Sequence, residues 1–340
     1  MRITVGVIGG GSWGTTVASL AAHNVSTILW GRDAATVAEI NESHHNSRYL
    51  AGLDLHPKLR ATTDLREAVE QADVIVMGVP SQAMRSTLEQ VAEHIRAWVP
   101  IVSLAKGLEQ GTRLRMSQVA NEVLPGHPVA VLTGPNLAKE ILTGDAAASV
   151  LATHDPVVAA RLQEVFSTAM FRVYTNPDVI GCELAGALKN VIAIASGMAD
   201  GLGAGDNTRA AVITRGLAEL SRLGVAMGGN ELTFAGLAGM GDLLATCVSP
   251  QSRNRFVGEQ LGRGRTIEEI IDSMNMVAEG VKTAPVVLDL GEEYGIDLPI
   301  STQVYEVCHE AKSASAAYAG LLRRGGLVEH PSNDFVFPKI

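Results

Sequence analysis

Segment 183–195, ELAGALKNVIAIA, has helical spacing and is nearly devoid of charge, so Lys189 and its neighbour Asn190 are conspicuous on it. A solvated helix face would carry several charges per two turns; one lysine and one amide among small residues read instead as a polar pair turned into a cleft. Lys106 follows the apolar run 100–104, at a strand tip where a cation points at a ligand crevice or, more plainly, at solvent. Thr133-Gly134-Pro135-Asn136-Leu137-Ala138 puts small and amide-bearing residues at another tip, where backbone must pass close to something bound. Asp242 ends a glycine-rich turn feeding a helix, a position that capping alone would explain and that leaves a functional role open. Ser252-Arg253-Asn254-Arg255 gathers a hydroxyl, two guanidinium groups and an amide at a helix start, a set suited to a phosphate dianion.

The second chemistry-bearing motif is Gly9-x-Gly11-x-x-Gly14, directly after the apolar run 3–8 and opening a helix expected to begin near Thr15. The first glycine permits the tight turn, the second lets backbone approach a pyrophosphate, and the third lets helix and strand pack closely, so the pattern reads as a dinucleotide site. At the end of the next strand, Arg32 stands where an acidic residue would bind the ribose hydroxyls of NAD. A guanidinium there can fork onto a 2′-phosphate, which favours NADP, unless Arg32 merely pairs with Asp33 in solvent.

These side chains need a scaffold, and the hydrophobic pattern supplies one. Strand-length apolar runs at 3–8, 27–30, 73–79, 100–104, 129–133 and 147–152 alternate, at first, with helical segments near 14–22, 34–42, 64–71 and 82–97. Near-continuous apolar strands with helices between them predict an α/β fold, a doubly wound parallel sheet covered on both faces. From Gly181 onward the periodicity is helical, with segments at 181–198, 207–227, 231–247, 252–262, 266–274, 279–294, 301–310 and 314–323. Two domains follow, 1–180 binding a dinucleotide on a Rossmann-type sheet and 181–340 an all-helical substrate domain. Composition agrees, because 340 residues with 46% apolar and only 4% aromatic content fill a core with aliphatic side chains.

A net charge of −9 with no basic cluster argues against nucleic acid as a partner. Three scattered cysteines and nine histidines without a ligand spacing speak for a reducing compartment and against a metal. The uncharged stretch 3–31 resembles a membrane anchor until Gly9-Gly10-Gly11 interrupts it, so a cytoplasmic location without membrane insertion is expected.

In combination, GGGSWG at 9–14, Ala105-Lys106-Gly107, Gly134-Pro135-Asn136, GALKNVIA at 186–193, Gly239 to Asp242, Gln251 to Arg255 and Val277-Ala278-Glu279-Gly280 resemble bacterial NAD(P)-dependent glycerol-3-phosphate dehydrogenase. The likeness runs from near residue 3 to about 320 and leaves the last twenty or so residues without a counterpart. It implies that Ser12, Trp13, Arg32, Lys106, Ala138, Arg253, Val277 and Glu279 contact the cofactor. It further implies that Lys106, Gly134, Asn136, Lys189, Asp242, Ser252, Arg253 and Asn254 surround the substrate, with Lys189 transferring the proton. Many members have Ser or Thr where this chain has Asn136, and a second Val or Ile where it has Ala278. The implied reaction is reversible reduction of dihydroxyacetone phosphate to sn-glycerol 3-phosphate by a homodimer, supplying glycerol phosphate for phospholipids. A 3-hydroxyacid, 6-phosphogluconate or ketopantoate reductase would share the architecture, but Asp242 and the Ser252-Arg253-Asn254 cluster speak against it. A non-catalytic NAD(P)H-responsive regulator would not need Lys106, Lys189 and Asp242 together.

Overall fold

The computed structural model describes residues 3–274 and 278–322. Eight strands form one sheet: β1 (Thr4–Ile8), β2 (Ser26–Trp30), β3 (Arg60–Thr62), β4 (Val74–Met77), β5 (Ile101–Ser103), β6 (Val129–Thr133), β7 (Ala147–Ala152) and β8 (Phe171–Asn176). Their spatial order is β3-β2-β1-β4-β5-β6-β7-β8. The chain winds outward from β1 to one side, then crosses to β4 on the other, and that reversal opens a crevice at the carboxyl ends of β1 and β4. Separate apolar clusters cover the two sheet faces, which is why β1, β4 and β5 are buried almost end to end.

Two departures from the sequence pattern have physical causes. Strand β3 is three residues long with an exposed Arg60, too short to give a periodic signal. Strand β7 runs antiparallel to β6, pairing Thr133 with Val150. The helix between them, Ala138–Leu142, has five residues and spans only about 7 Å. A crossover must carry the chain back along a strand of roughly 17 Å, so this connection instead returns it from the same end.

The helix after the glycine motif starts at Ser12, earlier than expected, and runs to Asn24. The segment anticipated as one helix at 231–247 is broken into Glu231–Ala235, a π-turn at Leu237–Gly241 and a helix from Asp242 to Val248. That break turns Asp242 inward. Met116–Val123 and Pro156–Phe166 are further helices, the second opened by Asp155 accepting from the Val157 and Val158 amides with proline at the first turn.

After β8 the chain enters Val179–Gly201, a 23-residue helix that is apolar on every side and therefore sits inside the protein. It is long and apolar enough to cross a membrane, but 94% of its most hydrophobic window is buried among the other helices. Helix Arg253–Gly262 lies directly on it through glycines four apart on both partners. A Cβ on Gly197 would stand 2.0 Å from Arg255 O, one on Gly201 2.2 Å from Glu259 O, and one on Gly258 2.0 Å from Ile194 O. Backbones in such contact leave no room for a methyl group. Gly258→Ala is expected to destabilise the protein by about 3 kcal/mol or more, seen as a lower urea midpoint with an unchanged slope.

Candidate active site

At the carboxyl end of β1, Gly9 adopts φ +123° and its N–H donates to Trp30 O. A Cβ on Gly14 would strike Gly9 O at 2.1 Å, while one on Gly11 would meet nothing within 4 Å. Gly14 thus serves helix–strand packing and Gly11 leaves open space in front of the helix. Gly11 is also the N-cap and makes no side-chain cap bond, so the first-turn amides are available to an anion. These features fit a pyrophosphate. The loop is held from behind by fully buried Asn46, whose Nδ2 donates to Gly10 O at 3.1 Å and Thr15 Oγ1 at 3.0 Å. Ser12 Oγ donates to Tyr49 O at 3.4 Å, and the Trp13 ring lies 6.3 Å from that of Phe171. Arg32 is exposed at the tip of β2. Asp33 does not pair with it in the manner weighed above; the carboxylate caps Thr36 N at 2.8 Å and accepts from Arg48 at 3.1 Å.

The second cluster lies where the tips of β5 and β6 meet the long central helix. Lys189 is 4% exposed and Asp242 2% exposed. Lys189 Nζ donates to Asp242 Oδ1 at 2.5 Å and to Thr246 Oγ1. Lys106 Nζ donates to the other carboxylate oxygen, Oδ2, at 2.7 Å, and to Gly134 O at 2.9 Å. One carboxylate therefore bridges two ammonium groups that arrive from different elements. Burial lowers the Lys189 pKa to about 8; Asp242 opposes the shift and the charge of Lys106 adds to it.

The capping role open to Asp242 falls to Gly241 instead, and the Asp242 side chain makes no cap bond. Ser252 does cap its helix, accepting from Arg255 N at 3.2 Å. Asn254 donates to Asn190 Oδ1 at 3.0 Å and accepts from Gly280 N at 2.9 Å, so its amide joins helices. Asn190 in turn donates to Lys106 O at 3.1 Å, completing a chain of amides from the β5 tip to helix Glu279–Tyr294. Arg255 is committed to Asp200 at 2.8 Å. Glu279 accepts from Ser81 N at 3.3 Å; burial raises its pKa, against the pull of that N–H and of Arg253, Lys106 and Lys189.

Donor accounting settles the pose of Asn136. Ser149 Oγ gives its proton to Thr133 O at 2.8 Å and must accept from Asn136 Nδ2 at 3.2 Å. Asn136 Oδ1 is left as a buried acceptor without a protein donor, and Thr133 Oγ1 close by is buried and unpartnered too.

The amino-terminal model of NAD-dependent glycerol-3-phosphate dehydrogenase matches residues 4–159, and the carboxy-terminal model matches 178–319. The chain belongs to this family. It is 58% identical over 332 residues to glycerol-3-phosphate dehydrogenase [NAD(P)+] 2 of Sphingopyxis alaskensis, covering 97% of this chain and 100% of the relative. With the Mycobacterium avium enzyme of the same name it shares 56% over 317 residues, 93% of each. The crystal structure of glycerol-3-phosphate dehydrogenase from Coxiella burnetii superposes with a TM-score of 0.90 at 37% identity, covering 95% of this chain and 99% of that one.

Of the residues singled out in the sequence, Lys106, Gly134, Lys189 and Asp242 are in direct contact, and Asn254 reaches them through Asn190. Asn136 stands two residues from Gly134. Ser12 and Trp13 open the helix after the glycine motif, Arg32 follows β2, Ala138 opens the short helix after β6, and Arg253 acts electrostatically on Glu279. Val277 lies outside the described residues. Thr246, Ser149 and Asn46 carried no sequence signal. Thr246 sits one turn after Asp242, a spacing that marks it only once Asp242 is known to face inward.

Asp242→Asn removes the counter-charge of buried Lys189 and part-buried Lys106. Lys189 then titrates lower still, and between that value and the unfolded one of 10.5 the unfolded chain binds more protons. Stability rises with pH across this window, and the window is wider in the variant. Its melting temperature is expected to fall well below wild type near about pH 7, with the deficit narrowing toward about pH 9.5.

Proposed function

We propose that the chain catalyses the reversible reduction of dihydroxyacetone phosphate to sn-glycerol 3-phosphate, with residues 1–180 holding the dinucleotide and 181–340 completing the substrate site. The observation that carries this reading is the Asp242 carboxylate bridging Lys189 and Lys106 beside the glycine-lined crevice. A reduced nicotinamide dinucleotide held in that crevice would supply hydride for C2 of the ketone. Lys189, charged near neutral pH, gives its proton to the C2 oxygen as the carbon–oxygen double bond becomes a single bond. Lys106 stabilises the negative charge on that oxygen, and Asp242 holds both ammonium groups at the reacting carbonyl. Arg253, with Ser252 and the first amides of its helix, takes the phosphate and orients the ketone. Asn254 acts through Asn190 as a positioning residue, and Asn136 Oδ1 accepts from a substrate hydroxyl.

Arg32 at the tip of β2 supports NADPH over NADH. Three buried cysteines without disulfide partners support a reducing cytoplasmic setting. Exposed Leu232, Leu244 and Val248 on the segment around Asp242 support a homodimer, the state the family resemblance implies. The product would feed phospholipid synthesis.

The test is loss of the reduced-nicotinamide absorbance on mixing protein, NADPH and dihydroxyacetone phosphate. A panel of other ketones, ketopantoate included, should show no comparable turnover. Lys189→Met is expected to lower kcat by roughly a hundredfold or more while NADPH still binds; wild-type turnover by that variant would overturn the assignment. In the wild type kcat/KM for reduction should decline above about pH 8 as Lys189 loses its proton, and Asp242→Asn should move that limb to lower pH.

A further inference from the structure

The tip of β2 carries a charge arrangement that the sequence motif alone does not contain. Asp33 is anchored through Oδ1 to Thr36 N, and its Oδ2 accepts from Arg48 Nη1 at 3.1 Å. Arg48 comes from a different element, the short helix Ser47–Leu50, and its guanidinium lies 5.5 Å from the centre of the Tyr49 ring. That helix is fastened to the glycine loop, through Asn46 to Gly10 O and through Ser12 to Tyr49 O. Arg48 is thus tied to the glycine loop and to Asp33, the chain neighbour of exposed Arg32, at the end of the strand where the adenosine ribose lies in this fold. Resting on the reading of the crevice given above, we propose that Arg48 is the second guanidinium of a 2′-phosphate subsite, and that Asp33 competes for it and sets the balance between phosphorylated and unphosphorylated dinucleotide.

The energetics allow such an exchange. The Arg48 and Asp33 side chains are 59% and 47% exposed, and an ion pair so solvated is weak. A phosphate monoester near neutral pH carries almost two charges and three acceptor oxygens, so it outcompetes one carboxylate for a guanidinium. With the 2′-hydroxyl present instead, Asp33 can accept its proton while Arg48 stays in the ion pair. The repulsion between Asp33 and a 2′-phosphate caps the preference that Arg32 and Arg48 create, and the chain accepts either dinucleotide.

The experiment uses adenosine 2′,5′-bisphosphate and adenosine 5′-monophosphate as calorimetric probes, alongside kcat/KM for NADPH and NADH. Arg48→Gln should lower the ratio of bisphosphate to monophosphate affinity about tenfold, and the NADPH-to-NADH selectivity by a similar factor. Asp33→Asn keeps a good helix cap and should raise both ratios. Unchanged ratios in Arg48→Gln would overturn the proposal while leaving the catalytic reading intact. A wild-type chain that binds neither probe and oxidises neither cofactor overturns both.

Discussion

Everything in the site depends on one buried carboxylate shared by two ammonium groups, Lys189 buried and Lys106 partly so. Taking Lys189 out of water costs free energy, and Asp242 offsets that cost for Lys189 and Lys106 together. The three groups leave one net positive charge in a low-dielectric pocket of a protein whose total charge is −9. That residual charge exists because one oxygen of Asp242 faces the central helix and the other the tip of β5, and in the proposed mechanism it is what would stabilise an electron-rich oxygen. A salt bridge of one lysine and one aspartate would carry no net charge.

Such a bridge demands that three remote elements meet within a few tenths of an ångström. Backbone contact through Gly197, Gly201 and Gly258 locks helix Arg253–Gly262 onto the central helix. The central helix is pinned in rotation at its start by Glu183, which accepts from Arg115 at 2.6 Å and from Ser117 N at 2.7 Å. Burial raises the Glu183 pKa and Arg115 opposes it. Asp178 accepts from Gly181 N, Asn230 N and Thr233 Oγ1, tying the same helix to the segment that leads to Asp242. Both carboxylates take donors from other elements, so the helix can neither slide nor turn without leaving polar groups unpaired.

This division explains what could be read from the chain beforehand. The glycine motif was legible because its three glycines answer to local geometry, and Lys189 because a lone charge on an apolar helix is anomalous wherever it lies. Spacing did not show the bridge, since Lys189 and Asp242 are 53 residues apart and Lys106 and Asp242 are 136 apart; only the family resemblance grouped the three around one substrate. Asp242 looked like a cap because aspartate at a helix start ordinarily is one; the π-turn before it is what frees the carboxylate. The antiparallel pairing of β6 with β7 was hidden because apolar strands carry no mark of direction, and only the shortness of helix Ala138–Leu142 decides it.

The same bookkeeping of donors and acceptors bears on Asn136, where many relatives of this family were expected to have Ser or Thr. A hydroxyl there would offer one acceptor and one proton. The amide offers two protons and one acceptor oxygen, and an unused N–H in a buried place would be costly. Ser149 removes that difficulty. Its proton is spent on Thr133 O, so it can only accept, and it takes the Asn136 Nδ2 that would otherwise be in excess. Ser149 thereby fixes the amide with its oxygen free, beside Gly134, whose own carbonyl holds Lys106. A larger, differently shaped side chain can keep an acceptor at this tip because a neighbouring strand supplies the complementary hydroxyl.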